Sequence, residues 1–298
     1  MTVAIPSDPV ALARQHYAEE LRHVAGLRSP AVVAAFASVP RERFLGPGPW
    51  RIRRPMAVPG YWTTDDADPR HVYHNVLVAL DEAREINNGQ PSLWAFLFEQ
   101  LGIRPGERVR HLGCGTGYYT AVAAELAGPH GALTAVELDP GLATKAAEAL
   151  TPWPQVRVLN EDGASAAFEP VDLIIASAGA THPPASWLDG LAPGGRLLLP
   201  LTADSGPGAM LLVTRQSPEA FAARFLCMAQ FIDFQGARDS GASRSLLAAF
   251  RRTGDGGAAV QSLRRHPDEP DGTCWLAGNG WWLSTAPAAP AGERGPGC

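Results

Sequence analysis

Cysteine is scarce in this chain and badly spaced for either of its structural uses. Cys114, Cys227, Cys274 and Cys298 lie far apart in 298 residues, with no Cys-x-x-Cys pair, which argues against a zinc site and against a disulfide framework. A basic surplus is missing too. With 25 Lys+Arg against 30 Asp+Glu the net charge is −5, so no broad positive field exists to displace counterions from phosphate, and nucleic acid is not an expected partner. The densest basic run, Arg51-Ile52-Arg53-Arg54, reads as a solvated face or a substrate-side contact. No window reaches the roughly 20 apolar residues of a membrane span. The start of the chain lacks a basic stretch followed by an apolar run, and no segment repeats. His182 and His266 have no metal-ligand spacing, and no metal is expected. These absences together describe a soluble, cytoplasmic protein.

What is present is ordinary for a globular chain able to bury a core: 46% hydrophobic and 18% charged residues. Apolar spacings of three and four predict helices over about Asp8–Gly26 and Pro30–Val39. Between Gly46 and Arg70, proline and glycine punctuate Trp50, Tyr61 and Trp62, and these aromatics are expected on a lid or wall outside regular structure. From Pro91 the pattern alternates. Helices are expected at Ser92–Leu101, Thr120–Leu126, Leu142–Leu150 and Pro184–Leu191. Strands are expected at Arg108–Leu112, Ala132–Leu138, Val156–Leu159, Val171–Ser177, Arg196–Leu201 and Met210–Thr214, with a hairpin loop between the last two. Such alternation predicts an α/β fold with a mostly parallel, doubly wound sheet. The expected divisions are an N-terminal helical and substrate-side segment (1–90), a cofactor domain (91–237), a small tryptophan-rich C-terminal appendage (238–285) and a disordered tail (286–298). Within the appendage, Ser243–Arg252 reads as a helix and Ala258–Leu263 as a strand.

Gly113, Gly115 and Gly117 fall directly between a strand and a helix. Without side chains they permit a tight turn and let a ligand approach the backbone, with the helix N-terminus facing an anionic group. A dinucleotide loop wants Gly-x-Gly-x-x-Gly, and Tyr118 stands where its third glycine belongs. The spacing suits a cofactor without pyrophosphate. Glu137, ending the next strand some 20 residues on, is placed to accept bonds from ribose hydroxyls; its plainer reading is a surface acid. Asp162, in Asn160-Glu161-Asp162-Gly163, sits where an adenine amino group would lie, and is otherwise a turn-forming Asp-Gly.

These segments resemble protein-L-isoaspartate O-methyltransferases. The resemblance is carried by Val39-Pro40-Arg41-Glu42-Arg43-Phe44, by Pro105-Gly106-Glu107-Arg108-Val109 leading into Gly113-Cys114-Gly115-Thr116-Gly117-Tyr118, and by Glu137-Leu138-Asp139-Pro140. Glu161-Asp162-Gly163, Val171-Asp172-Leu173-Ile174-Ile175 and the run Leu191 to Pro200 add to it. It covers about residues 30–235. It implies a Rossmann-like fold binding S-adenosyl-L-methionine through Gly113, Cys114, Gly115, Gly117, Tyr118, Glu137, Leu138, Asp162 and Gly163. The chain resembles a divergent member with a C-terminal extension. The family carries an acid two residues before the first glycine, where this chain has His111. It also carries Thr-Ile-Ser-x-Pro, whose serine faces the substrate carboxylate. Here the segment reads Glu85-Ile86-Asn87-Asn88-Gly89-Gln90-Pro91, which puts Asn87 or Gly89 at that place depending on alignment.

A carboxylate nucleophile is ionised at neutral pH, so methyl transfer to it needs orientation more than a general base. The amides of Asn87, Asn88 and Gln90 are the candidates to hold it, against the reading of Asn88-Gly89 as a simple turn. His111 on its strand is either a core histidine or a base; for a phenol or amine acceptor, His71 and His74 join it as candidate bases. The expected partner is a peptide or protein carboxylate, isoaspartyl or aspartyl, with a biosynthetic precursor peptide as one form of it. The alternatives are a small-molecule methyltransferase and a catalytically silent cofactor-binding module.

Overall fold

The computed structural model describes residues 8–53, 60–165, 168–217, 219–254 and 256–288. Arg54 of the basic run, Cys298, and the expected tail from 289 onward lie outside them. The described chain forms two compact units, one from residues 8–107 and 114–160, the other from 108–113 and 161–288.

The first unit opens with α1 (Pro9–Val24) and α2 (Pro30–Ser38). Each has proline at its start behind a capping side chain: Asp8 accepts from the Val10 amide and Ser29 from that of Val32. A 3-10 turn, Arg41–Phe44, follows. Four short strands, β1 (Arg51–Arg53), β2 (Trp62–Thr63), β3 (Leu77–Asp81) and β4 (Ile86–Asn87), make an antiparallel sheet of order β2-β1-β3-β4. The Gly46–Arg70 stretch is therefore partly regular, contrary to expectation. Its aromatics divide: Trp50 is buried with Leu45, Ile52, Val72 and Val78, whereas Trp62 is 44% exposed on β2. α3 (Pro91–Leu101) ends on Gly102 at φ +54°. The chain leaves this unit for one strand, β5 (Arg108–Leu112), and returns with α4 (Tyr118–Ala127), β6 (Ala132–Glu137), α5 (Pro140–Ala149) and β7 (Val156–Asn160). β6 and β7 are parallel, with Glu137 opposite Asn160 at their C-terminal ends. Tyr17, Phe36, Phe44, Phe98, Tyr118 and Tyr119 pack mostly edge-on or tilted, at centroid separations of 4.9 to 6.3 Å. Each such pair adds about 0.5–1.5 kcal/mol beyond its area burial.

The second unit holds β5 with β8 (Val171–Ala176), α6 (Ala185–Asp189), β9 (Leu191–Thr202), β10 (Gly208–Arg215), β11 (Ala220–Met228), α7 (Ser240–Thr253), β12 (Ser262–Arg265), β13 (Cys274–Gly278) and β14 (Trp281–Ser284). The order within it is β5-β8-β9-β10-β11-β12-β14-β13. β5, β8 and β9 are parallel; every later pairing is antiparallel. The sheet is thus mixed where a mostly parallel one was expected. The loop from β9 to β10 is too short for a crossover, so the chain can only turn back on itself. The tryptophan-rich segment continues this sheet: Trp275 packs on Phe225 and Phe250 at 5.3 Å, and Trp282 is 2% exposed under Arg264.

Candidate functional site

In the first unit the glycine loop closes on itself and on β6. The Cys114 amide donates to the Val136 carbonyl and the Gly117 amide to that of Cys114. Gly115 and Gly117 sit at φ +58° and +93°, where side chains are strained. A Cβ on Gly117 would stand 2.7 Å from Leu150 Cδ1, so this glycine answers both to backbone conformation and to the packing of α5. Gly117 is the N-cap of α4 and offers no side-chain cap; a helix N-terminus of this kind suits an anion.

Glu137 is 8% exposed. Its Oε2 accepts from the Gly115 amide at 2.7 Å and its Oε1 from the Asp139 amide at 3.1 Å. Burial raises its pKa, against the pull of those backbone donors. The surface-acid reading fails, because the carboxylate is tucked under the loop and braces it. Leu138 beside it is 42% exposed, an apolar side chain left uncovered at the strand end. Cys114 is buried, and burial followed by the Glu137 charge pushes its thiol pKa up, so it stays neutral. The Tyr118 ring is buried among Phe36, Phe44 and Tyr119, and its hydroxyl meets that of Tyr17 at 3.3 Å.

The segment upstream is tied to this loop. Leu80 Cδ1 is 3.8 Å from a Cβ built on Gly115, the Tyr119 hydroxyl donates to the Gly89 carbonyl at 3.1 Å, and Arg84 pairs with Asp139 at 2.5 Å. Gly89 itself, at φ +79°, has Trp94 Nε1 where a Cβ would go. The three candidate amides differ sharply. Gln90 Nε2 is committed to Asn75, at 3.0 Å to its carbonyl and 2.6 Å to its Oδ1, and that same Oδ1 accepts from the Ser92 amide at the start of α3. Asn87 Oδ1 accepts from the Gly89 amide at 2.9 Å, and its side chain also meets the Tyr61 hydroxyl. Asn88 is 7% exposed; its Oδ1 accepts from Arg41 at 2.8 Å, and its buried Nδ2 has no partner among the described residues.

Arg41 explains that posture. It is fully buried, and its guanidinium donates to the carbonyls of Val72 (2.7 Å), His74 (3.0 Å) and Val76 (2.7 Å) as well as to Asn88. The rings of Tyr17 and Tyr118 lie at 5.8 and 5.9 Å. One cation thus pins the 72–76 segment and orients the Asn88 amide. The Val-Pro-Arg motif was visible in the sequence, but its clamp was not, and Asn75 gave no signal at all.

The second unit carries the remaining candidates. Gly113 is at φ +70°. Asp162 caps its own turn, accepting from the Ala164 amide at 2.9 Å and the Ser165 hydroxyl at 3.1 Å, as its turn-forming reading requires. Gly163 is packed against Leu112 and Phe234, and its carbonyl accepts from Trp187 at 2.8 Å. His111 is 2% exposed with Nε2 2.6 Å from Ser177 Oγ, and burial lowers its pKa to about 3. It is a neutral core histidine, and the base reading loses its ground.

A family model described as protein-L-isoaspartate(D-aspartate) O-methyltransferase matches residues 63–238. The chain is 34% identical over 215 residues to protein-L-isoaspartate O-methyltransferase 1 of Rhodopseudomonas palustris, covering 71% of this chain and 78% of that one. It is 30% identical over 216 residues to the protein of the same name from Geotalea uraniireducens, covering 71% and 88%. A solved protein-L-isoaspartate O-methyltransferase superposes with a TM-score of 0.63 at 24% identity, over 80% of this chain and 68% of that one. A Plasmodium falciparum structure, described as a beta-aspartate methyltransferase in complex with S-adenosyl-L-homocysteine, superposes with a TM-score of 0.59 at 16% identity, over 75% and 98%. The fold is that of the S-adenosylmethionine-dependent methyltransferases.

Proposed function

The chain belongs to the protein-L-isoaspartate(D-aspartate) O-methyltransferase family, and from that premise we propose that it methylates an isoaspartyl or aspartyl carboxylate of a peptide or protein. Its cofactor is S-adenosylmethionine. The residues of the first unit fit that group: two left-handed glycines clear the approach, the uncapped start of α4 suits a carboxylate, Glu137 is braced to accept hydroxyls, and Leu138 is a free apolar surface. Gly113, Cys114, Tyr118, Asp162 and Gly163 complete the proposed cofactor set, Tyr118 through its backbone amide. When bound, the cofactor supplies an electrophilic methyl group.

The observation that carries the acceptor reading is the unspent, buried Nδ2 of Asn88. A buried donor without a partner costs about 1–3 kcal/mol, and a carboxylate oxygen is the partner that would repay it without taking a proton. Asn87 stands next to it in sequence, its Nδ2 held only at 3.5 Å by the Glu85 carbonyl, and Gln90 supports the segment through Asn75. The work of these groups is orientation, which can supply roughly 7–11 kcal/mol of a barrier. The absence of the family's serine from Glu85–Pro91, and the sheet strands beyond residue 238, favour a dedicated target such as a precursor peptide. A cytoplasmic setting belongs to the same proposal.

The test is incubation with methyl-labelled cofactor and matched isoaspartyl and aspartyl peptides. Base-labile label on either peptide supports the reading. Label on neither, with cofactor still bound, overturns a general activity on isoaspartyl and aspartyl peptides.

A further inference from the structure

His182 and His266 look unrelated in sequence, yet both line one cavity of about 650 Å³ in the second unit, together with Arg238, Asp239, Arg265 and Trp281. Four of these six carry basic groups, in a chain whose net charge is −5. The one acid among the six, Asp239, has its Oδ1 engaged: it accepts from the Ala242 amide at 2.6 Å and caps α7. Arg238 is held rigidly by the carbonyls of Gly179 and Thr202 at 3.0 and 2.9 Å, and its Nε has no partner among the described residues. Arg265 gives Nη1 to Asp189 at 2.5 Å. The acids facing these arginines, Asp189, Asp204 and Asp233, are 62%, 59% and 64% exposed, against 26% for Arg265 and 17% for Arg238, so the acid half of each pair is solvated and open to replacement by a competing carboxylate. Trp281, 6% exposed, adds an apolar surface.

We propose that this cavity docks a carboxylate-rich stretch of a peptide. The volume is that of a site for several groups, far more than one small anion fills. The two arginines come from separate segments, at 238 and 265, with the imidazoles of His182 and His266 beside them, which suits several carboxylates spaced along a chain. Arg265, His266 and Trp281 lie beyond residue 238, where the family match ends. It rests on the reading that the acceptor belongs to a peptide.

Fluorescence anisotropy of fluorescein-labelled hexaglutamate with the full chain tests it, with hexaglutamine as the neutral control. The labelled hexaglutamate should bind, hexaglutamine should not, and Arg265→Glu and His266→Glu should each weaken binding about tenfold or more. Unchanged affinity for S-adenosylhomocysteine certifies that the variants fold. Equal binding by wild type and both variants, no binding by wild type, or full displacement by an equal concentration of inorganic phosphate each overturns the proposal. Hexaglutamate binding that persists where no isoaspartyl or aspartyl peptide is methylated would sink the acceptor reading and leave the docking site standing.

Discussion

Asn88→Asp isolates the one group on which the acceptor site turns. The substitution keeps the oxygen that accepts from Arg41 at 2.8 Å and replaces the unpartnered Nδ2 by a second oxygen. For the folded protein this is mild: an unsatisfied donor worth about 1–3 kcal/mol disappears, and a charged pair with a buried guanidinium offsets the desolvation of the new carboxylate. Stability should stay within about 1 kcal/mol of wild type or rise. For an incoming carboxylate it is severe. Two like charges about 4 Å apart at an effective dielectric near 20 repel by about 4 kcal/mol, or about a thousandfold in kcat/KM. The assay is label transfer to the better of the two peptides, with urea unfolding and calorimetric S-adenosylhomocysteine binding run beside it. A kcat/KM within threefold of wild type, with folding and cofactor affinity intact, would refute the placement of the acceptor at Asn88.

Gly117→Ala forces a Cβ into φ +93° and to 2.7 Å from Leu150 Cδ1. The left-handed penalty and overpacking together predict a loss of about 2–5 kcal/mol in urea unfolding, and a loss under about 1 kcal/mol would contradict this account of the loop. Glu137→Ala removes the brace on the Gly115 and Asp139 amides; S-adenosylhomocysteine should bind at least about tenfold more weakly by calorimetry, and a change below threefold would count against its role. His111 has a folded pKa depressed to about 3 by burial. Its unfolded value is near 6.5, so between those values the unfolded chain binds the extra proton and stability falls as pH falls, by about 1.4 kcal/mol per pH unit. From pH 7 to 5, His111→Gln should lose about 2 kcal/mol less than wild type; equal losses would place the titration elsewhere.

The glycine loop and Glu137 were legible in the sequence because their chemistry is local: three glycines between a strand and a helix, then an acid at the next strand's end. β11 was not. Ala220-Phe221-Ala222-Ala223-Arg224-Phe225-Leu226-Cys227-Met228 is rich in helix formers, and pairing with β10 and β12 overrides that preference. β3 and β4 are short and joined by a tight turn, too brief for periodicity to register. Among the candidate amides, only three-dimensional partners separate Gln90, bonded to a residue 15 positions upstream, from Asn88, whose nitrogen has no partner among the described residues. Arg41 shows the same limit: its motif is conspicuous, yet its four acceptors lie 31 to 47 residues away.

The most direct test of the site is a crystal structure of the chain with S-adenosylhomocysteine and an isoaspartyl or aspartyl peptide. The predicted result is an acceptor carboxylate oxygen within about 3.2 Å of Asn88 Nδ2, with Arg41 still on Asn88 Oδ1 and Glu137 facing the ribose. A carboxylate bound away from the Asn87–Gln90 segment, with Asn88 Nδ2 still unpartnered, would contradict it.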